Sequence, residues 1–168
     1  RNQYGALQCG IRLDHFEGFL GINDRKPSPH SMAPSSPIEA KRGGRTILVV
    51  DDEPSILKCI QRVLEQANYD VIISPSGNQA WELIEQGRPK IDMVLTDIVM
   101  PGSIDGFTLD ARIRRREPSL PVLFITGAQL EDDDSAAQLA IKKRSLRKPF
   151  LAKELVEFVD SHFPSRIP

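Results

Sequence analysis

The sequence predicts an α/β protein built on a doubly wound parallel sheet. Two observations carry that expectation. From residue 46 onward, short β-rich runs alternate five times with helix-period patterns, the signature of strands joined by crossover helices. The first run, TILVV (46–50), is continuously apolar, as a strand covered on both faces must be.

Taken in order, PSILKCIQRVLEQA (54–67) sets Ile56, Ile60, Val63, Leu64 and Ala67 on one helical face. Pro54 suits its first turn, where a missing N–H costs nothing. YDVIIS (69–74) predicts a second strand and GNQAWELIEQG (77–87) a second helix ending at Gly87. IDMVLTDI (91–98) is a third strand, and DGFTLDARIRRRE (105–117) a third helix stopped by Pro118. LPVLFITG (120–127) is a fourth strand, followed by a weaker helix in LEDDDSAAQLAIKKR (130–144). SLRKP (145–149) is a short fifth strand. The closing helix, LAKELVEFVDSHF (151–163), is expected to bury Leu151, Leu155, Phe158, Val159 and Phe163. Right-handed crossovers leave few topologies for five such units, and the flavodoxin-like (βα)5 order 2-1-3-4-5 is a common one.

Composition bounds the rest. The chain has 168 residues, 40% of them hydrophobic, and 22 Lys+Arg against 23 Asp+Glu. That balance excludes a strongly basic nucleic-acid binder. Cys9 and Cys59 are too few for a disulfide framework. No apolar run approaches the roughly 18 residues of a membrane span, and no secretion-signal layout opens the chain, so a cytoplasmic protein is expected. Residues 1–45 hold six of the eleven glycines and the Pro/Ser-rich stretch KPSPHSMAPSSP (26–37). They read as a disordered tail or linker ahead of a domain spanning 46–168, with a remnant of a preceding domain as the alternative.

The carboxyl ends of the predicted strands are the informative part. The first strand ends in Asp51-Asp52-Glu53, the third near Asp97, the fourth at Thr126-Gly127 and the fifth at Lys148-Pro149. Each residue has a plain reading alone: Asp51 or Asp52 capping a helix, Asp97 polarising a turn before Pro101, Thr126 favouring a strand, Lys148 lying in solvent. Their conjunction on one rim weakens all of these. Three carboxylates at close quarters repel, and a hard divalent cation such as Mg²⁺ removes the penalty. The chemistry implied is metal-assisted work on an oxyanion, with a lysine as second clamp.

The stretches ILVVDDEP, VLTDIVMPGSIDGF, VLFITGA and LRKPF resemble, in order and spacing, the successive motifs of receiver domains of two-component response regulators. The resemblance covers about residues 46–163, and the MPGSIDG loop is similar to receivers attached to hybrid histidine kinases. It implies that Asp97 is the phosphoacceptor, taking a phosphoryl group from a histidine kinase or histidine phosphotransfer protein. It implies Mg²⁺ held by Asp52, Asp97 and the backbone carbonyl of Val99, with Asp51 acting mainly through a metal-bound water. Lys148 and Thr126 would bind phosphoryl oxygens, Gly127 would leave room for phosphate, and the Lys148-Pro149 bond would be cis. The domain would be a switch, not an enzyme in the ordinary sense. Its output partner would meet the face of the fourth helix, fifth strand and last helix; homodimerisation stays open, while a membrane or nucleic acid is not expected.

One departure stands out. Ser145 occupies the position where receivers often carry Tyr or Phe as a rotamer switch. Lys142, Lys143, Arg144 and Arg147 are expected to form a basic patch nearby, or else a solvated helix end. Arg112, Arg114, Arg115 and Arg116 read as a solvated face, EDDD (131–134) as dipole-complementing acids, Trp81 as packing and Cys59 as a small buried hydrophobe. His15, His30 and His162 fall in no ligand pattern. Val99 and Ala128, two positions beyond Asp97 and Thr126, have side chains that cannot orient a water, which predicts a long-lived phosphoryl state. A haloacid-dehalogenase-like phosphatase and an unphosphorylated scaffold are the alternatives. The adjacent acids of the first strand depart from the phosphatase signature, and the full acidic set speaks against the scaffold.

Overall fold

The structure, a computed structural model, describes residues 11–12, 44–87, 89–127 and 135–163. Ala128, the acids at 131–134, Cys9, His15, His30 and almost all of the predicted tail lie outside the described residues.

Five parallel strands form one sheet: β1 (Thr46–Val50), β2 (Asp70–Ser74), β3 (Met93–Asp97), β4 (Val122–Thr126) and β5 (Ser145–Arg147), in the order β2-β1-β3-β4-β5. Five helices alternate with them: α1 (Pro54–Gln66), α2 (Gly77–Gln86), α3 (Gly106–Arg116), α4 (Ala136–Lys143) and α5 (Ala152–His162). This is the expected 2-1-3-4-5 arrangement. Beside it, Ile11–Arg12 pairs in parallel with Phe150–Leu151.

The apolar run of β1 divides by strand alternation. Ile47 and Val49 join a core with Met93, Leu95, Leu123 and Ile125 beneath α1 and α5. Leu48 and Val50 join a second core with Val94, Val122 and Phe124 beneath α2 and α3. Burial on both faces is why β1 carries no polar residue after Thr46.

The helices follow their apolar stripes. In α1, Ile56, Leu57, Ile60, Val63 and Leu64 are buried, and Pro54 sits in the first turn as expected. Cys59 is half-buried, a correction to its expected burial, because it lies at the flank of that stripe. In α5 the buried residues are Ala152, Leu155, Val156 and Val159, with Phe163 just beyond. Leu151 and Phe158 are only partly buried: Leu151 precedes the helix as its cap, and Phe158 stands at the stripe's edge against the His162 ring.

The start of α3 matters because the loop that follows Asp97 leads into it. Asp105 caps it, accepting the Thr108 N–H at 2.8 Å, and hydrogen bonds from the Thr108 side chain first and its backbone second hold the Asp105 carboxyl below the ordinary carboxylate range. A depressed folded-state pKa adds stability above the unfolded value and loses it as pH falls through the folded one. Asp105→Ala should therefore cost about 1 kcal/mol at neutral pH, with the gap from the parent closing in acid. Asp105→Asn should keep most of the cap but not the pH dependence. Urea unfolding across pH reads both; a gap that persists below the acid transition contradicts the assignment.

Candidate functional site

Register brings the acids together. Val50 of β1 lies opposite Thr96 of β3, so the next residues, Asp51 and Asp97, leave the sheet side by side. Asp97 in turn lies opposite Ile125, one residue before Thr126, and Thr126 lies opposite Arg147, one residue before Lys148. Every predicted rim residue thus reaches the same end of the sheet within one residue of its neighbour. This is the edge where the strand order reverses, the usual ligand position in open α/β sheets.

Carboxylate oxygens of Asp51, Asp52 and Asp97 lie within 4.8 Å of one another. Asp51 is buried, Asp52 exposed and Asp97 intermediate. Lys148 Nζ donates to Asp51 Oδ2 at 2.8 Å and to Asp97 Oδ2 at 2.9 Å. The Glu53 N–H donates to the other Asp51 oxygen at 2.9 Å, and the Val99 N–H to Asp97 Oδ1 at 3.3 Å. Both carboxylates are therefore oriented by backbone as well as by the ammonium. The plain readings fare differently. The α1 cap is Glu53, without a side-chain cap bond, so Asp51 and Asp52 are not spent on capping. Asp97 does hold its own turn through Val99, yet keeps an oxygen on Lys148.

The electrostatics fit a cation site. Burial pushes the Asp51 carboxyl above its ordinary range, against the pull of Lys148 and the Glu53 N–H. Burial would lower the Lys148 ammonium, but its bonds to Asp51 and Asp97 win and hold it above the usual lysine range. Three hard oxygen donors with a single ammonium among them match the donor set Mg²⁺ takes, a few carboxylates with waters kept.

Thr126 is buried at the end of β4, and its carbonyl accepts the Lys148 N–H at 2.8 Å. Val99 lies in the loop after β3 with its side chain exposed. The Lys148-Pro149 bond is cis.

Sequence reasoning missed Gly106. A Cβ there would stand 2.2 Å from the Asp97 carbonyl oxygen, so this glycine permits the close passage of the α3 start over the end of β3. It also misplaced Arg144, whose guanidinium turns from the expected basic patch to Asp110 and the Val122 carbonyl. The arginine face of α3 is likewise less free than expected: Arg114 pairs with Asp110, Arg116 donates to the Glu85 carbonyl and Arg112 lies over the Trp81 ring.

A five-stranded doubly wound domain with an acidic, lysine-clamped centre at its switch point defines the class: a flavodoxin-like domain whose acidic cluster sits where open α/β sheets take their ligands. The chain belongs to the response regulator receiver domain family, whose model matches residues 47–160, and is thereby a receiver domain of two-component signalling. It is 37% identical to the response regulator GtcR of Aneurinibacillus migulanus over 67% of this chain and 45% of that protein. It is 32% identical to the 3',5'-cyclic-nucleotide phosphodiesterase regA of Dictyostelium discoideum over 85% of this chain and 18% of that one. The match thus spans less than half the length of either curated relative. Among solved structures, the response regulator TrrA of Thermotoga maritima, in complex with Mg(2+)-BeF, superimposes with a TM-score of 0.61 at 29% identity, covering 70% of this chain and 97% of that one. Among the described residues, no helix is long and apolar enough to cross a membrane.

Proposed function

We propose that this domain accepts a phosphoryl group on Asp97 from the phosphohistidine of a histidine kinase or phosphotransfer protein, and that the acyl phosphate alters partner binding. The observation that carries the reading is the cluster of Asp51, Asp52 and Asp97 within 4.8 Å, with Lys148 bonded to two of them. An Asp97 carboxylate oxygen attacks phosphorus, the P–N bond breaks, and its electron pair returns to the imidazole ring. Lys148, already held at 2.9 Å from Asp97, is positioned to follow the phosphoryl oxygens, and the Thr126 hydroxyl serves a second one. Asp51, Asp52, Asp97 and the Val99 carbonyl would hold Mg²⁺, which when bound neutralises charge on the transferring group. The Mg(2+)-BeF complex of the similar TrrA supports that assignment. A cytoplasmic setting, with output through the face of α4, β5 and α5, completes the reading.

Incubation with acetyl phosphate and Mg²⁺ should add one phosphate by intact mass, and none after chelation. Asp52→Ala should lose Mg²⁺ binding, read by titration, and with it most phosphate uptake, at little cost in stability because Asp52 is exposed. Uptake at the parental rate without the ion would overturn the proposal.

A further inference from the structure

A buried carboxylate on α3 lies outside the site and is unused by it. Asp110 is 9% exposed, between Leu109 and Ile113 on the buried side of the helix. Its charge is met from two directions. Arg114, one turn on, donates Nε to both carboxylate oxygens at 3.0 and 2.9 Å. Arg144, the C-cap of α4, donates Nη1 to Oδ1 at 3.1 Å and Nη2 to Oδ2 at 3.4 Å. The same Nη1 donates to the Val122 carbonyl at 2.9 Å, and the guanidinium lies 5.1 Å from the Phe124 ring centroid. One arginine thus joins the end of α4 to α3, to β4 and to an aromatic face.

The join matters because α4 has little apolar packing, its other ties at this end including the Phe124 N–H on the Arg144 carbonyl at 2.7 Å and the His162 ring at 3.2 Å from the Lys143 carbonyl. Among the described residues, Ala136–Lys143 hold no buried residue, whereas α1, α2, α3 and α5 each hold three to five. Ile141 is half-buried and Leu139 is 44% exposed. A helix with so few buried apolar contacts belongs to the low-stability end of a fold, and its docking depends on the polar contacts it has.

We propose that the Asp110–Arg144 pair is a latch that holds α4 against the domain, and that breaking it releases α4 as a unit. Arg114 makes the release reversible: it stays on Asp110 when Arg144 leaves, so the carboxylate is never a buried unpaired charge. The further consequence rests on the reading of Asp97 as phosphoacceptor. Ser145 has no ring to move, and its hydroxyl is tied to the Ile141 carbonyl at 2.7 Å. The latch then sets how much α4 responds to phosphorylation. Packing is continuous between the two places: Gly106 abuts Asp97, the adjacent Phe107 meets Phe124 edge-on at 5.3 Å, and Phe124 lies under Arg144. The two-state element both places bias is α4 itself.

Amide hydrogen exchange on the full chain, with no phosphoryl donor, decides the latch. Arg144→Met and Asp110→Asn should each speed exchange of the Leu139–Lys143 amides about tenfold, the double variant no further, and the core of α1 and α5 should not change. Arg144→Lys, which keeps the charge but not the fork, should fall between. Arg114→Gln should leave α4 exchange as it was. Unchanged α4 exchange in Arg144→Met and Asp110→Asn, or a rise matched in α1 and α5, overturns the latch. The second arm adds acetyl phosphate and Mg²⁺, with uptake followed by mass. Phosphorylated parent should show faster α4 exchange and phosphorylated Arg144→Met no further gain. A parent that takes phosphate with α4 unmoved overturns the regulatory half. A parent that takes none refutes the phosphoacceptor reading and with it this half, leaving the latch decided by the first arm.

Discussion

Asp97→Ala should abolish phosphate uptake from acetyl phosphate and Mg²⁺ while leaving a folded domain. The expectation of complete loss follows from nucleophilic chemistry on the protein itself: with the attacking oxygen gone, nothing else on the rim replaces it. Asp51 is the nearest candidate, but it is buried, where Asp97 is only partly so. Asp52 is exposed and is not one of the two carboxylates that Lys148 holds. Stability should not fall much, because Lys148 keeps Asp51 as a partner and one of three mutually repelling carboxylates is removed. The measurement is intact mass beside an unfolding curve. Loss of uptake with an unchanged curve supports the assignment; undiminished uptake in the variant moves the acceptor elsewhere. On the parent protein, label on Asp97 should persist for minutes or longer. Val99 is exposed two positions beyond Asp97, and its side chain has no group to orient water. Decay within seconds would contradict that.

The parts of this domain legible in the sequence are those set by local pattern. TILVV could be read as a strand covered on both faces because its run is continuously apolar, and the acids that follow it then fall on the strand end. Asp51, Asp97, Thr126 and Lys148 needed only strand order and strand ends, both readable, and the register puts them within one residue of the expected level. What escaped depends on partners distant in sequence. Arg144 sits in a basic run that reads as solvated, yet its partner Asp110 lies 34 residues earlier in a segment that reads as an ordinary charged helix. The α5 stripe was offset because Leu151 and Phe158 are apolar at helix spacing, and only the packing of Ala152 and Val156 against the first core chooses between the two phases. Gly106 stands beside an ordinary helix cap, and nothing in the local sequence announces that another strand's backbone passes over it.

That passage predicts a large effect on stability from a single methyl group. Gly106→Ala would place a Cβ 2.2 Å from the Asp97 carbonyl oxygen, 2.9 Å from Ile98 Cα and 3.0 Å from the Asp97 carbonyl carbon. All three are backbone atoms, so no side chain can swing aside; either the end of β3 or the start of α3 must move. The Gly106 N–H also donates to the Ile98 carbonyl at 3.1 Å, tying the two segments together where they must part. Overpacking of this kind costs about 1–3 kcal/mol, more than the roughly 1 kcal/mol of helix propensity that alanine returns. A net loss of about 1 kcal/mol is expected by urea unfolding, with a large fall in the rate of phosphate uptake, because the displaced backbone carries Asp97, the proposed nucleophile. Gly127 supplies the contrast: a Cβ there meets nothing within 4 Å, so Gly127→Ala should unfold within about 0.5 kcal/mol of the parent. Two glycines on the same rim, given the same methyl group, should thus diverge because one is crossed by backbone and the other faces open space. Equal midpoints for the two variants would mean that the approach of α3 to Asp97 is looser than 2.2 Å implies.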